Sequence, residues 1–343
     1  MIPIDLRSDT VTLPSEAMKQ AMVKAELGDD VIDVDPTLDK MEKKIAELLG
    51  KEAAIFMPSG TMTNQIAIRV HCRQGDEVIC EAGCHIYNYE QAGFAQLTGV
   101  VAQPVSSMDY KLTLEDVQDK IRPENEHMAR TRLICIENTH NRGGGSILPI
   151  DNVRQITEWA RGNGLATHLD GARLFNAVVA SGIPAKQWAS HFDTVSVCFS
   201  KGLGAPIGSA LAGSAEQIRV ARRHRKLLGG GMRQAGIIAA AVLYAIEQNI
   251  DRLADDHHNA KIIADAINQS PKLLLEPASV ETNIVIFRVN DPAMDAATYV
   301  KKLESRGIRT LAFGSQHVRA VTHLQITREN AEFAAEQILA CPG

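Results

Sequence analysis

Seven short apolar runs, set among helical stretches between residues 37 and 245, constrain this chain more than any other feature. They read AAIFM, DEVICEA, GVVAQPVS, RLICIENT, LATHLD, DTVSVCFS and SALAG. A strand that is apolar on both faces must be covered on both faces, and helical connections keep successive strands parallel. The predicted class is therefore α/β, a large domain on a mostly parallel seven-stranded sheet. After the small-residue helix near 234–250 the pattern changes. ETNIVIFRV, IRTLAF and AVTHLQI alternate with the helical AATYVKKLESRG and RENAEFAAEQILA. That predicts a smaller C-terminal α/β domain over 251–343, following a large domain over 1–250.

Composition excludes several functions. With 41 acids against 36 bases the net charge is −5, which gives no electrostatic case for nucleic-acid binding. The basic cluster Arg219, Arg222, Arg223, His224, Arg225 and Lys226 reads as a solvated helix face. The longest apolar run, GIIAAAVLYAI, is too short to cross a bilayer. The start, MIPIDLRSDT, shows no secretory signal. The cysteines are scattered and two of them, Cys135 and Cys198, lie inside strand-like runs, which fits a reducing cytoplasmic compartment. Cys80, Cys84 and His85 lack a second Cys/His pair at zinc spacing, so no metal is expected.

In an open α/β sheet, ligands bind outside the carboxyl ends of the strands. Ser59-Gly60-Thr61, Glu137, Asp170 and Ser200-Lys201 all fall at such ends. A lysine just past a buried strand, followed by Gly-rich sequence, is an amine placed to form a Schiff base. A carboxylate about 30 residues earlier, from a neighbouring strand, would keep the ring nitrogen of pyridoxal phosphate (PLP) protonated. The plain alternative makes Asp170 a helix cap and Lys201 a surface charge. PSGTMTNQ offers a helix N-terminus with hydroxyls, suited to a phosphate, and Ser200 and Arg233 could add contacts. His85 could stack on a flat ring or act as a base. Arg173, one turn after Asp170, could reach the ring oxygen. Arg319 could hold a substrate carboxylate through a two-pronged contact.

Taken together, DLRSDTVT, GDDV…DPT, KEAAIFMPSGT, ENTHN, HLDGARLFNA, SKGLGAPIGS, GGGMRQAG and VRAVTHL resemble the low-specificity L-threonine aldolase family. That is a PLP-dependent family of the aspartate-aminotransferase-like fold, and the resemblance spans nearly the whole chain. It implies cleavage of L-threonine, L-allo-threonine and related L-β-hydroxy-α-amino acids to glycine and an aldehyde. Other PLP enzymes of the same fold are the alternative: β-eliminating lyases, racemases or aminotransferases.

Carried over residue by residue, the resemblance makes Lys201 the cofactor lysine. Asp170 would pair with the ring nitrogen, Arg173 with the ring oxygen, and His85 would stack on the ring. Gly60, Thr61 and Ser200 would hold the phosphate, with Arg233 reaching it from a neighbouring subunit. Ser8, in the N-terminal segment, and Arg319 would bind the substrate carboxylate, and Tyr89 would lie near the side chain. His85 and His127 are the two candidates for the β-hydroxyl proton. The resemblance also implies a homotetramer with shared active sites. One departure stands out: the family often reads GDDVYG where this chain has GDDVID, with Ile32 and Asp33. If the family's tyrosine lines the active site, the change bears on substrate preference or rate and leaves the PLP chemistry alone.

Overall fold

The computed structural model describes residues 3–341. A two-residue strand, β1 (Ile4–Asp5), opens the chain. The large sheet is built from β2 (Ala53–Met57), β3 (Asp76–Glu81), β4 (Val101–Val105), β5 (Arg130–Glu137), β6 (Ala166–Gly171), β7 (Thr194–Cys198) and β8 (Ser209–Gly213). Their order across the sheet is β2-β8-β7-β6-β5-β3-β4. Only β8 runs against its neighbours; β3 to β7 pair in parallel. The residues of β3, β7 and β8 are all buried, as expected of strands covered on both faces.

A second sheet follows, from β9 (Leu273–Leu275), β10 (Ile284–Val289), β12 (Leu311–Ala312) and β13 (His317–Val321), in the order β12-β13-β10-β9. Between β10 and β12 lies β11 (Ile308–Arg309), which pairs with β1. The run IRTLAF, one strand in the sequence reading, is thus split. Ile308 and Arg309 bond the N-terminal strand, while Leu311 and Ala312 bond β13. Thr310, between them, is buried.

Local sequence signals explain the covering helices. Pro36–Leu49 begins on Asp35, whose carboxylate accepts from the Leu38 amide, and ends on Gly50 at φ 62°. Its Leu38, Met41, Ile45 and Leu49 face inward. Gly60–His71 begins on Ser59, whose hydroxyl accepts from the Met62 amide. One hydrophobic cluster runs from Met18 to Leu253 and another from Ala260 to Cys341. Leu6 belongs to the second, because β1 lies against β11. No helix among the described residues is long and apolar enough to cross a membrane.

Three histidines, His168 buried and His71 and His257 half-buried, give the fold a pH dependence. Burial pushes His71 down to about 4, His168 to about 3 and His257 to about 4. Their folded values lie below the unfolded value near 6.5. The native state therefore resists protonation, and its stability is full above that value and falls as pH drops towards the folded values. Between its unfolded pKa and about pH 5 each histidine can contribute about 2 kcal/mol. Asp256, pushed up to about 7 by burial against the pull of Arg252, acts in the opposite sense, as do His85 and His140, which neighbouring carboxylates hold high; His191 and His224, held low by burial, add to the three. Denaturant midpoints are expected to fall between about pH 7 and about pH 5, with a shallower fall in His257→Gln. A flat wild-type profile would contradict this.

Candidate active site

The carboxyl edge of the large sheet and the start of the small sheet enclose a cleft of about 530 Å³. Ser8, His85, Tyr89, Arg173, Lys201 and Arg319 all line it. They come from five separate segments, His85 and Tyr89 sharing one, and the topology explains the meeting. β1 carries Ser8 to the cleft by pairing with β11, and the Thr12 hydroxyl donates to the Lys201 carbonyl at 2.8 Å.

Lys201 follows β7, is half-buried, and its ammonium makes no hydrogen bond or ion pair among the described residues. Asp170, at the end of β6, is buried. It accepts from the Ala172 amide at 3.1 Å and from Asn64 Nδ2 at 2.9 Å. His85 begins a short helix after β3 and holds Glu90 through Nδ1 at 2.8 Å. Burial disfavours its charged form, but Glu90, Asp170 and Glu137 outweigh that and raise its pKa above the usual histidine value. Glu137 fixes the segment by accepting from the amides of His85 and Asn141.

Arg173 is buried and bound through two parallel contacts of 2.7 Å to Asp9. Asn283 also donates to Asp9, at 3.3 Å. These contacts, with Lys201 nearby, overcome the cost of burial and hold the Asp9 carboxyl well below the usual range. The remaining Arg173 nitrogen, Nη1, faces Asn141 Oδ1 at 3.5 Å. Arg319 is buried and makes no ion pair among the described residues. It donates to Asn141 Oδ1 at 3.1 Å and to the Arg7 carbonyl at 3.3 Å, lies over the Phe313 ring, and leaves Nε unpaired. Burial and the neighbouring Arg173 both lower its pKa. A desolvated guanidinium with an unsatisfied nitrogen at a cleft wall is a receptor for an anion.

The phosphate end is built on Ser59-Gly60-Thr61. Ser59 caps the Met62 amide, and the Gly60 and Thr61 amides find no acceptor among the described residues. A side chain at Gly60 would meet Cys198 Sγ at 2.7 Å. Its absence lets the helix start sit against the end of β7, two residues before Ser200. Free amides at the start of a 12-residue helix suit a phosphate. The donor set thus fits PLP: amides for the phosphate, a free lysine for the aldehyde carbon, and a buried carboxylate for the ring nitrogen.

Four residues singled out in the sequence lie elsewhere in this chain. Arg233 is exposed and paired with Asp29 at 3.0 Å. His127 sits on an exposed loop beside Glu126. Ile32 is 79% exposed, on the same loop as Asp29; Asp33 is exposed beside it. Conversely, Asp9, Asn64, Glu90 and Asn141 serve the site without having been singled out. Arg142, which donates to the Tyr89 hydroxyl at 2.9 Å, and Phe313 complete the wall. Asp9 lies within the DLRSDTVT motif, the one signal that could have found it.

Residues 5–290 match the profile of the beta-eliminating lyase family. The chain is 43% identical over 338 residues to low-specificity L-threonine aldolase 1 of Arabidopsis thaliana, covering 97% of this chain and 94% of that one. It is 44% identical over 334 residues to the low specificity L-threonine aldolase of Escherichia coli K12, covering 97% of each. Among solved structures, the Leishmania major threonine aldolase superposes with a TM-score of 0.84 at 21% identity, covering 98% of each chain. A Sphingomonas wittichii serine palmitoyltransferase superposes at 0.78 with 17% identity, covering 99% of this chain and 87% of that one. These two likenesses establish a shared fold.

Proposed function

Because the chain belongs to the low-specificity L-threonine aldolases, within the beta-eliminating lyases, we propose that its cleft performs their reaction with the residue roles set out below. The enzyme is a PLP-dependent carbon–carbon lyase that cleaves L-threonine and related L-β-hydroxy-α-amino acids to glycine and an aldehyde. The observation that carries the assignment of roles is the convergence of Lys201, His85 and Arg319 on one cleft, with a carboxylate oxygen of Asp170 within 4.8 Å of a His85 ring nitrogen.

Lys201 holds the cofactor, Asp170 its ring nitrogen and Arg173 its ring oxygen, through the nitrogen that Asp9 leaves free. Gly60, Thr61 and Ser200 hold the phosphate. Bound there, PLP supplies an electron sink for the charge left on Cα when the Cα–Cβ bond breaks. Arg319 and Ser8 bind the substrate carboxylate and so fix rotation at Cα, which decides which bond breaks. His85 takes the β-hydroxyl proton on Nε2, since Nδ1 is committed to Glu90. Tyr89, tethered by Arg142, borders the substrate side chain.

His127 and Arg233 act from a neighbouring subunit of a homotetramer, with His127 the second candidate for the hydroxyl proton. Their exposure in the single chain supports this. So do the exposed Leu13, Val23 and Ile32 along one N-terminal stretch. Ile32 then bears on the partner's site. We further divide the chain at 250/251, supported by the two hydrophobic clusters, and place the enzyme in the cytoplasm, supported by six buried free thiols.

Arg319→Gln tests the carboxylate role. It is expected to lower kcat/KM for L-threonine by about 100-fold, mainly through KM, as befits loss of a buried charge-assisted contact. A wild-type KM would remove Arg319 from substrate binding.

A further inference from the structure

Behind Asp170 runs a chain of hydrogen bonds whose direction can be worked out atom by atom. Asn64 Nδ2 lies 2.8 Å from Glu90 Oε1 and 2.9 Å from Asp170 Oδ2. Only the donor end of an amide can meet two carboxylates, so the Asn64 oxygen points the other way. That oxygen is 3.2 Å from His168 Nε2, which must therefore carry the proton. His168 is fully buried and burial pushes its pKa down to about 3, so near neutral pH its Nδ1 is bare. Thr194 Oγ1, 2.9 Å from Nδ1, then donates to it. The same hydroxyl oxygen is left to accept from His71 Nε2 at 2.9 Å. From His71 to Asn64, every shared proton points towards Asp170 and Glu90.

The two carboxylates also serve different ends of the site. Asp170 faces the ring-nitrogen position and Glu90 holds His85 Nδ1 at 2.8 Å. Glu90 takes a third donor, Gln65 Nε2, at 2.6 Å. Ligand atoms of His85, Glu90 and Asp170 all lie within 4.8 Å of one another, a crowding of acids that would otherwise draw a cation or a shared proton. The Asn64 amide group fills the gap between the carboxylates instead.

We propose that Asn64, locked by His168 and Thr194, is a positioning residue that keeps Asp170 an acceptor for the cofactor ring nitrogen and Glu90 an acceptor for His85. The proposal rests on the PLP reading given above. Without the amide donor, two buried carboxylates face each other and hold a proton between them. A proton on Asp170 removes its use to the ring, and one on Glu90 releases His85. A freely rotating amide is nearly as harmful, because its oxygen would then face two acids.

The test loads the holoenzyme with PLP labelled with nitrogen-15 at the ring and reads that nitrogen by NMR, alongside steady-state kinetics. In the wild type the nitrogen is expected to be protonated at neutral pH. In Asn64→Leu and His168→Leu it is expected to become largely unprotonated. The kcat for L-threonine should drop roughly 10- to 100-fold, as for a lost hydrogen bond to a charged group. KM should stay within about threefold, because Arg319 and Ser8 are untouched. His168→Gln, which can still donate to Asn64, should restore both readouts. Thr194→Val, with its small change in volume, carries the same test if the leucine variants do not fold. A protonated ring nitrogen with wild-type kcat in the folded variants would overturn the proposal alone. A wild type that takes up no labelled PLP would overturn the cofactor reading beneath it.

Discussion

Lys201→Ala is expected to lose both the absorbance band of lysine-linked PLP and turnover of L-threonine. The side chain is half-buried at the end of β7, borders the cleft, and makes no hydrogen bond or ion pair among the described residues. Its ammonium acts on the fold only through its charge near Asp9, which Arg173 and Asn283 still hold, so the variant should fold and melt much like the parent. No other lysine lines the cleft among the described residues, and loss of a covalent nucleophile costs on the order of 10⁴-fold or more in rate. The phosphate end, with its free Gly60 and Thr61 amides, should still retain PLP noncovalently, without the linkage that borohydride traps in the wild type. Mapping the trapped cofactor to any lysine other than Lys201, or near-normal threonine cleavage by the variant, would remove Lys201 from the mechanism.

Asp9→Asn should have the second largest effect, and mainly on stability. Asp9 is fully buried and holds Arg173 through two contacts of 2.7 Å. Neutralising it leaves a buried guanidinium with only amide oxygens beside it, Asn141 Oδ1 at 3.5 Å among them, and Glu137 as the more distant opposing charge. Breaking such a pair from one side costs about 3–5 kcal/mol. The same bond tethers the N-terminal segment that carries Ser8, so the carboxylate pocket should loosen as well. The pH dependence has a definite sign. The folded pKa of Asp9 is depressed, so its contribution is present above the unfolded value near 3.9 and fades as pH falls below it. The stability gap between wild type and Asp9→Asn should therefore be full at pH 7 and shrink below about pH 4. A gap that is absent at pH 7 would show that the pair does not hold the fold.

Asp170 and Lys201 were legible because they stand at strand ends, where chain topology alone brings ligands. Apolar runs show where strands are, and the residue after each run shows what faces the edge. Asn64 and Glu90 were not legible by that rule. Asn64 lies inside a helix and Glu90 in an irregular segment, and they meet Asp170 only when that helix packs across β6 and β7. Asp9 and Arg173 are 164 positions apart, a separation no local pattern spans. The strand split at Thr310 escaped notice for a similar reason. Period and propensity cannot tell that two residues bond the N-terminus and the next two bond β13. His127, Arg233 and Ile32 show the converse: motif position singled them out, yet the single chain keeps all three outside its own cleft.

The most direct test of the central claim is a product balance on L-threonine and L-allo-threonine, with D-threonine as control. A cleft that fixes the carboxylate through Arg319 and takes the hydroxyl proton at His85 should release glycine and acetaldehyde in equal amounts from both L-substrates. It should release neither from the D-isomer. Release of ammonia and a keto acid in place of glycine would mean that the β-hydroxyl leaves while the Cα–Cβ bond stays intact, and would contradict the account.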